Sequence, residues 1–212
     1  MACAICETRR PKRHCPGVNG DICAICCGTE REVTVSCPYD CEYLQEARKR
    51  ERAAAPEQQA VPNSDIEVTE RLIRDNASLL DLLGAALLGV ARGTGAIDAD
   101  AREALDALVR TYRTLESGVY YDTRPAGSYA AAIYDALQNA ARDYRGEEQR
   151  RAGVTRTRDA DVLGLVVFLQ RIERDRNNGR ARGRAFLDSL QRHYAEAAGQ
   201  AAPAERSSLI LL

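Results

Sequence analysis

From Ser64 onward, apolar residues return at every third or fourth position, the spacing that lays one apolar stripe along an α-helix. Val68, Leu72, Leu79, Leu83 and Leu87 form the first stripe, with a break expected at 76–78 and Gly-Thr-Gly at 93–95 as its end. Ser64 followed by Glu67 has capping-box spacing and predicts its start. A second helix is expected from Asp98 or Asp100, with Ala101, Leu105, Leu108, Tyr112 and Leu115 on one face and Gly118 as its stop. A third, over about 128–144, aligns Ile133, Leu137, Ala141 and Tyr144. The polar stretch 145–158 reads as a connection. The fourth helix, 159–179, opens on Asp, is almost continuously apolar in its first half and stops at Gly179, so it is expected to be the most buried. A fifth, about 183–198, aligns Phe186, Leu187, Leu190 and Tyr194. No alternating strand pattern follows residue 41, so this part reads as an all-α bundle of about five helices.

The chain before Ser64 has a different character. Every cysteine, eight in all, lies in residues 1–52, and "AAAPEQQAVPN" (53–63) has linker composition. Three parts are therefore expected: a cysteine-rich module at 1–52, a linker at 53–63 and a helical domain at 64–212. No apolar leader segment follows Met1. The most apolar run, 77–91, contains Asp81 and is shorter than a bilayer requires, so the expectation is a cytoplasmic protein with no membrane partner. In that reducing compartment, dense cysteine usage points to metal rather than to disulfides.

The cysteines are spaced Cys3-x2-Cys6-x8-Cys15-x7-Cys23-x2-Cys26-Cys27-x9-Cys37-x3-Cys41, with His14 beside Cys15. Short C-x2-C and C-x3-C spacings let two thiolates reach one tetrahedral ion from a single turn. Eight thiols suggest two structural zinc ions, with His14 a candidate substitute for Cys15. The run that ferredoxin clusters use is missing, and no βαβ unit surrounds a C-x2-C pair. A module of about 45 residues is too small to offset its chain entropy with an apolar core. Metal binding supplies the difference.

"CAICCG" has the look of a zinc knuckle, "REVTVSC" (31–37) is β-prone, and "CPYDCEYLQEARKRERAAA" opens a helix with Pro38 near its first turn. Knuckle, hairpin and helix in that order resemble a treble-clef zinc finger over residues 20–52. The resemblance implies that Cys23, Cys26, Cys37 and Cys41 hold one ion, which leaves Cys3, Cys6, Cys15 and Cys27 for a second. An exchange of Cys26 for Cys27, or an interleaved cross-brace pairing, stays open on spacing alone. "ICAICCGTEREVTVSCPYDCEYL" together with "DADVLGLVVFLQRIERDRNNGRARGRAFLD" is similar to uncharacterised bacterial proteins that join a cysteine-rich zinc module to an α-helical domain. That resemblance implies no particular activity. The fold class expected is thus mainly α: a small zinc-stabilised finger of short hairpin and helix, followed by the bundle.

Charge adds three candidate surfaces. The net charge is −1, which argues against a generic polyanion binder, but bases exceed acids between Arg142 and Arg192. All but Lys12 and Lys49 of the 30 basic residues are arginine, the residue suited to bidentate phosphate contacts; a GC-rich genome is the blander source of the same bias. Arg9, Arg10, Lys12 and Arg13 sit in the loop between Cys6 and Cys15, and Arg180, Arg182 and Arg184 follow a flexible "NNG". Both are candidate anion-binding clusters. "GVYYDTRPAG" (118–127) offers Tyr120, Tyr121 and Arg124 as a candidate partner-binding loop, and the apolar "SSLILL" (207–212) is expected to dock on the bundle or on a partner. There is no P-loop, nucleophile elbow or dinucleotide fingerprint, and His193 reads as a helix-surface residue. The function expected is a non-catalytic zinc-binding interaction or regulatory protein with a protein partner. Nucleic-acid binding through the arginine-rich loops is one alternative, and thiol-based redox or metal sensing a second.

Overall fold

The computed structural model describes residues 2–51, 61–118 and 121–200. Among these residues the chain is mainly α, with one two-stranded ribbon near the N-terminus. The ribbon pairs β1 (Arg13–Cys15) with β2 (Gly20–Ile22) in antiparallel register. Helices α1 (Ala24–Glu30) and α2 (Glu42–Glu51) complete the cysteine-rich part. The helical part comprises α3 (Glu70–Asp75), α4 (Ala77–Thr94), α5 (Asp98–Glu116), α6 (Ser128–Ala152), α7 (Asp159–Arg176) and α8 (Ala185–Gln200).

The apolar stripes meet as expected. Helix α5 lies between α6 and α7, α4 packs on α6, and α8 lies across α4 and α7. Leu79, Leu83, Leu87, Leu105, Ile133, Leu137, Leu165 and Phe186 are fully buried in one core. Each such side chain contributes about 1.5–3 kcal/mol relative to exposure. The first half of α7 is indeed deeply buried, with Val162, Leu163, Leu165, Val166 and Val167 all in the core. By length and composition α4 is apolar enough to cross a membrane, where the run 77–91 was expected to be too short; the helix runs on to Thr94. Its Leu79, Leu83, Leu87 and Ala91 are packed inside the protein.

Several boundaries depart from the expected ones. The first helix starts at Glu70, where the Thr69 hydroxyl accepts from the Leu72 N–H at 3.1 Å. Ser64–Glu67 is not a helix start, because the neighbouring carbonyls are engaged elsewhere. Arg171 Nη2 donates to the carbonyls of Asn63 and Ile66, each at 2.8 Å, and Asn63 adopts φ 49°. The expected break at 76–78 is present, with Asn76 between α3 and α4. Helix α6 continues to Ala152, well into the expected connection, and ends at Gly153 in the left-handed conformation (φ 70°). Of the expected linker, residues up to 60 lie outside the described residues, as do Val119, Tyr120 and the C-terminal "SSLILL".

The strand expected at 31–37 is instead a turn. The Glu30 carbonyl accepts from the N–H groups of Val33, Thr34 and Val35, which leaves only an isolated Arg31–Val35 bridge. Val35 points into the module and Val33 outward. The turn carries Glu32 at φ 54°, a residue only 1% exposed, which sets up the join to the bundle.

Candidate metal centre

The first thiol pair sits on a tight turn. The Cys3 carbonyl accepts from the Glu7 N–H at 2.8 Å, with Glu7 in the left-handed region at φ 55°. The ribbon of β1 and β2 follows and delivers the chain back beside this turn, where Ala4 N–H donates to the Asp21 carbonyl at 2.8 Å. Cys23 then caps α1: its sulfur accepts from the Cys26 N–H at 3.4 Å. Cys26, one helical turn on, projects to the same side as Cys23.

Four sulfurs converge as a result. The Sγ atoms of Cys3, Cys6, Cys23 and Cys26 all lie within 4.8 Å of one another. Tetrahedral zinc with Zn–S bonds of about 2.3 Å places its sulfurs about 3.8 Å apart, so small side-chain rotations close the shell. Cys3, Cys23 and Cys26 are buried and Cys6 is half-buried. This four-thiol site can hold a zinc ion.

The surroundings favour thiolate at Cys3 and Cys6. The Cys23 N–H donates to Cys3 Sγ at 3.2 Å. Burial pushes the Cys3 thiol up, yet the N–H groups of Cys6, Cys23 and Ile5 together bring it below its ordinary value. The Thr8 hydroxyl, with the N–H groups of Thr8 and Arg9, brings Cys6 down to about 5. Cys26 is pushed up to about 12 by burial and by the thiols around it. Four sulfurs this close cannot all ionise unless a cation sits among them, so a metal supplies what the donor set needs. Arg9 leans on the same cluster, its guanidinium held above the ordinary value first by Cys23 and then by Cys6.

The treble-clef resemblance paired Cys23 and Cys26 with Cys37 and Cys41; in the structure their partners are Cys3 and Cys6. The expected order of knuckle, hairpin and helix with a ligand pair in its first turn occurs over residues 3–30, one unit earlier than placed. The reason lies in the ribbon. Its strands are three residues each and lack β-branched alternation, whereas "EVTVS" has the pattern but is closed into a turn.

The other four thiols form no equally tight group among the described residues. Burial raises the Cys37 thiol, and Glu32, Cys41 and Cys15 act on it electrostatically in the same direction. The Cys27 sulfur accepts from Arg13 Nη1 at 3.6 Å and from Arg31 Nη2 at 3.7 Å. His14 occupies the opposite face of β1 from Cys15, is well exposed and meets Asp21 Oδ1 at 3.2 Å.

The basic candidates do not gather at one point. Arg13 stacks over the Tyr43 ring at 3.9 Å, while Arg10 and Lys12 are exposed. The second cluster faces the cysteine module. Arg180 Nη1 donates to the Arg31 carbonyl at 2.7 Å, Arg182 Nη1 to Ser36 Oγ at 2.6 Å, and Arg184 Nη1 to the Cys37 carbonyl at 3.5 Å. In the third loop, Tyr121 is 65% exposed and Arg124 pairs with Asp135.

Glu32 is a determinant that no motif or periodicity singles out. Its carboxylate accepts from Arg48, from Asn178 Nδ2 at 3.0 Å and from the Arg184 N–H at 3.0 Å, and its carbonyl accepts from the Arg182 N–H at 2.7 Å. Asp98, equally buried, accepts from the N–H groups of Phe186 and Leu187 at 3.0 and 3.2 Å. Two carboxylates, one from each part of the chain, thus cap the N-terminus of α8. Comparison with family models, with curated proteins and with solved structures finds no match.

Proposed function

We propose that the chain is a non-catalytic interaction protein in which a structural zinc module of treble-clef type presents a rigid docking surface beside a helical domain. The observation that carries this reading is the convergence of Cys3, Cys6, Cys23 and Cys26. A shell of four thiolates offers no open position for a substrate, so its role is to fix shape. A second zinc drawn from Cys15, Cys27, Cys37 and Cys41 belongs to the same proposal. Its support is that Cys41 and Cys15 both lie near enough to act electrostatically on Cys37.

A protein partner is favoured over nucleic acid on two grounds. The module exposes large apolar side chains, with Ile25 at 55%, Val33 at 42% and Tyr43 at 39%. The arginines after α7 are turned toward the module's own carbonyls and hydroxyl. Capture of partners from the native cell, with and without nuclease, tests the reading. Wild-type chain should retain a protein partner after nuclease, and Ile25→Asp, with its zinc intact, should lose it. Nuclease-sensitive capture would overturn the choice of partner.

A further inference from the structure

A cavity of about 490 Å³ opens between α4, α7 and α8. All three helices supply its apolar lining: Leu80 from α4, Phe168, Leu169 and Ile172 from α7, and Leu190 and Tyr194 from α8. Exposed Asp81, Arg176 and His193 stand at its mouth. From Val162 to Leu169, Phe168 is the one residue that is not buried among those described. An aromatic side chain left half open, in an apolar groove with a polar edge, marks a surface made to be covered.

The chain carries a segment of matching chemistry. Residues 209–212, Leu-Ile-Leu-Leu, follow the mostly polar 203–208 and lie outside the described residues. Their reach is sufficient. Tyr194 and Leu190 lie about 9 and 15 Å back along α8 from Gln200, by the rise of a helix. Residues 201–208, when extended, span up to about 25 Å. That length allows the chain to reverse and bring Leu209 to the groove. The tether also decides between this segment and a free ligand. Four apolar residues bind weakly on their own, whereas a short connection to one wall of the groove holds them at about millimolar effective concentration.

We propose that residues 209–212 dock in this groove of their own chain and pack on Leu80, Phe168 and Ile172. Pro203, which is unsuited to a helix interior, supplies the reversal after α8. The wall is formed before the tail arrives, because the Tyr194 hydroxyl already ties α8 to α4 by donating to the Asp81 carbonyl at 2.9 Å. A preformed groove spares the cost of ordering its own side chains on binding. Once seated, the tail joins α4, α7 and α8 at one place and closes the groove to other apolar ligands.

Proton NMR on the metal-loaded full chain tests this. Nuclear Overhauser cross-peaks should connect the Phe168 ring to methyl groups of residues 209–212 at every protein concentration. A mixture of differently labelled chains should show no such cross-peak between molecules. Leu209→Ser, Ile210→Ser, Leu211→Ser and Leu212→Ser, made together, alter no side chain of the bundle core. That variant should lose the cross-peaks and shift the resonances of Leu80, Phe168 and Ile172, with Leu105 and Ile133 in the core unmoved. Cross-peaks between differently labelled chains would put the tail in the groove of a second copy. Tail methyl groups at random-coil shifts in the wild-type chain would leave the groove to an outside partner. Either result overturns the proposal.

Discussion

Glu32 shows how much can rest on one side chain. It is buried, charged and in a left-handed conformation that few residues other than glycine and asparagine favour. Breaking a buried ion pair by removing one partner typically costs about 3–5 kcal/mol, since the other charge is left uncompensated. Glu32→Ala leaves Arg48 with Asp188 alone and strands the Arg184 N–H, and should lower unfolding stability by about 3 kcal/mol, the lower end of that range, in a urea titration. A loss under about 1 kcal/mol would show that water replaces the carboxylate without penalty. Asp98 carries a pH signature. Burial pushes its carboxyl up to about 7, against the lowering effect of the Phe186 and Leu187 N–H groups. The folded protein then holds a proton that the unfolded chain, near 3.8, has released. Its contribution to stability is full below about pH 4 and is lost as pH rises through about 7. The stability difference between wild type and Asp98→Asn should therefore fall across that window, and a difference independent of pH would refute it. Neither role was legible in the sequence. Asp98 was placed at a helix start, yet the helix it caps by its side chain is α8, whose first turn lies 88 residues downstream.

At the scale of elements, periodicity sufficed wherever a helix buries a full stripe. Leu79, Leu83 and Leu87 on α4, and Phe186, Leu187 and Leu190 on α8, face the core as their spacing predicts. It failed where side chains tie the backbone down, as at Asn63–Ile66, and where a polar sequence supports itself. Helix α6 extends past 144 through exposed pairs such as Arg150–Glu147, worth only a few tenths of a kcal/mol each but enough to continue a helix already nucleated. Helix packing also imposes close approaches that periodicity does not show. A side chain at Gly84 would collide with the Tyr194 hydroxyl, which donates to the Asp81 carbonyl at 2.9 Å. Gly84→Ala should destabilise by about 1–3 kcal/mol in thermal or denaturant melts, and Tyr194→Phe in the same chain should recover part of the loss. No recovery would place the clash elsewhere.

At the scale of the whole molecule, the cysteine module and the bundle meet across a polar seam rather than an extended apolar one. Glu32, Arg48, Asp188 and the 177–184 connection supply most of it, with Tyr39 as the aromatic contribution to the bundle core. The module's own apolar content is slight: Ile22, Val35 and Leu44 beside the cysteines. On the proposed reading its shape comes from a metal held by Cys3, Cys6, Cys23 and Cys26, and the seam feels the loss of that metal. Chelation should strip hydrogen-exchange protection from β1, β2 and α1 and weaken it at Arg184–Leu187, while α5 and α7 stay protected. Uniform protection after chelation would mean that the module folds on apolar contacts alone. Spacing alone announced the metal but not the pairing, because two C-x2-C pairs and a C-x3-C pair fit several closures equally well. The ribbon decides among them by returning Cys23 to the side of Cys3.

The pairing is open to one direct count. Replacing Cys15, Cys27, Cys37 and Cys41 together by Ser leaves Cys3, Cys6, Cys23 and Cys26 as the sole thiols. Elemental analysis of that chain should find one zinc per molecule. A chain without zinc would contradict the four-thiol centre on which the whole account stands.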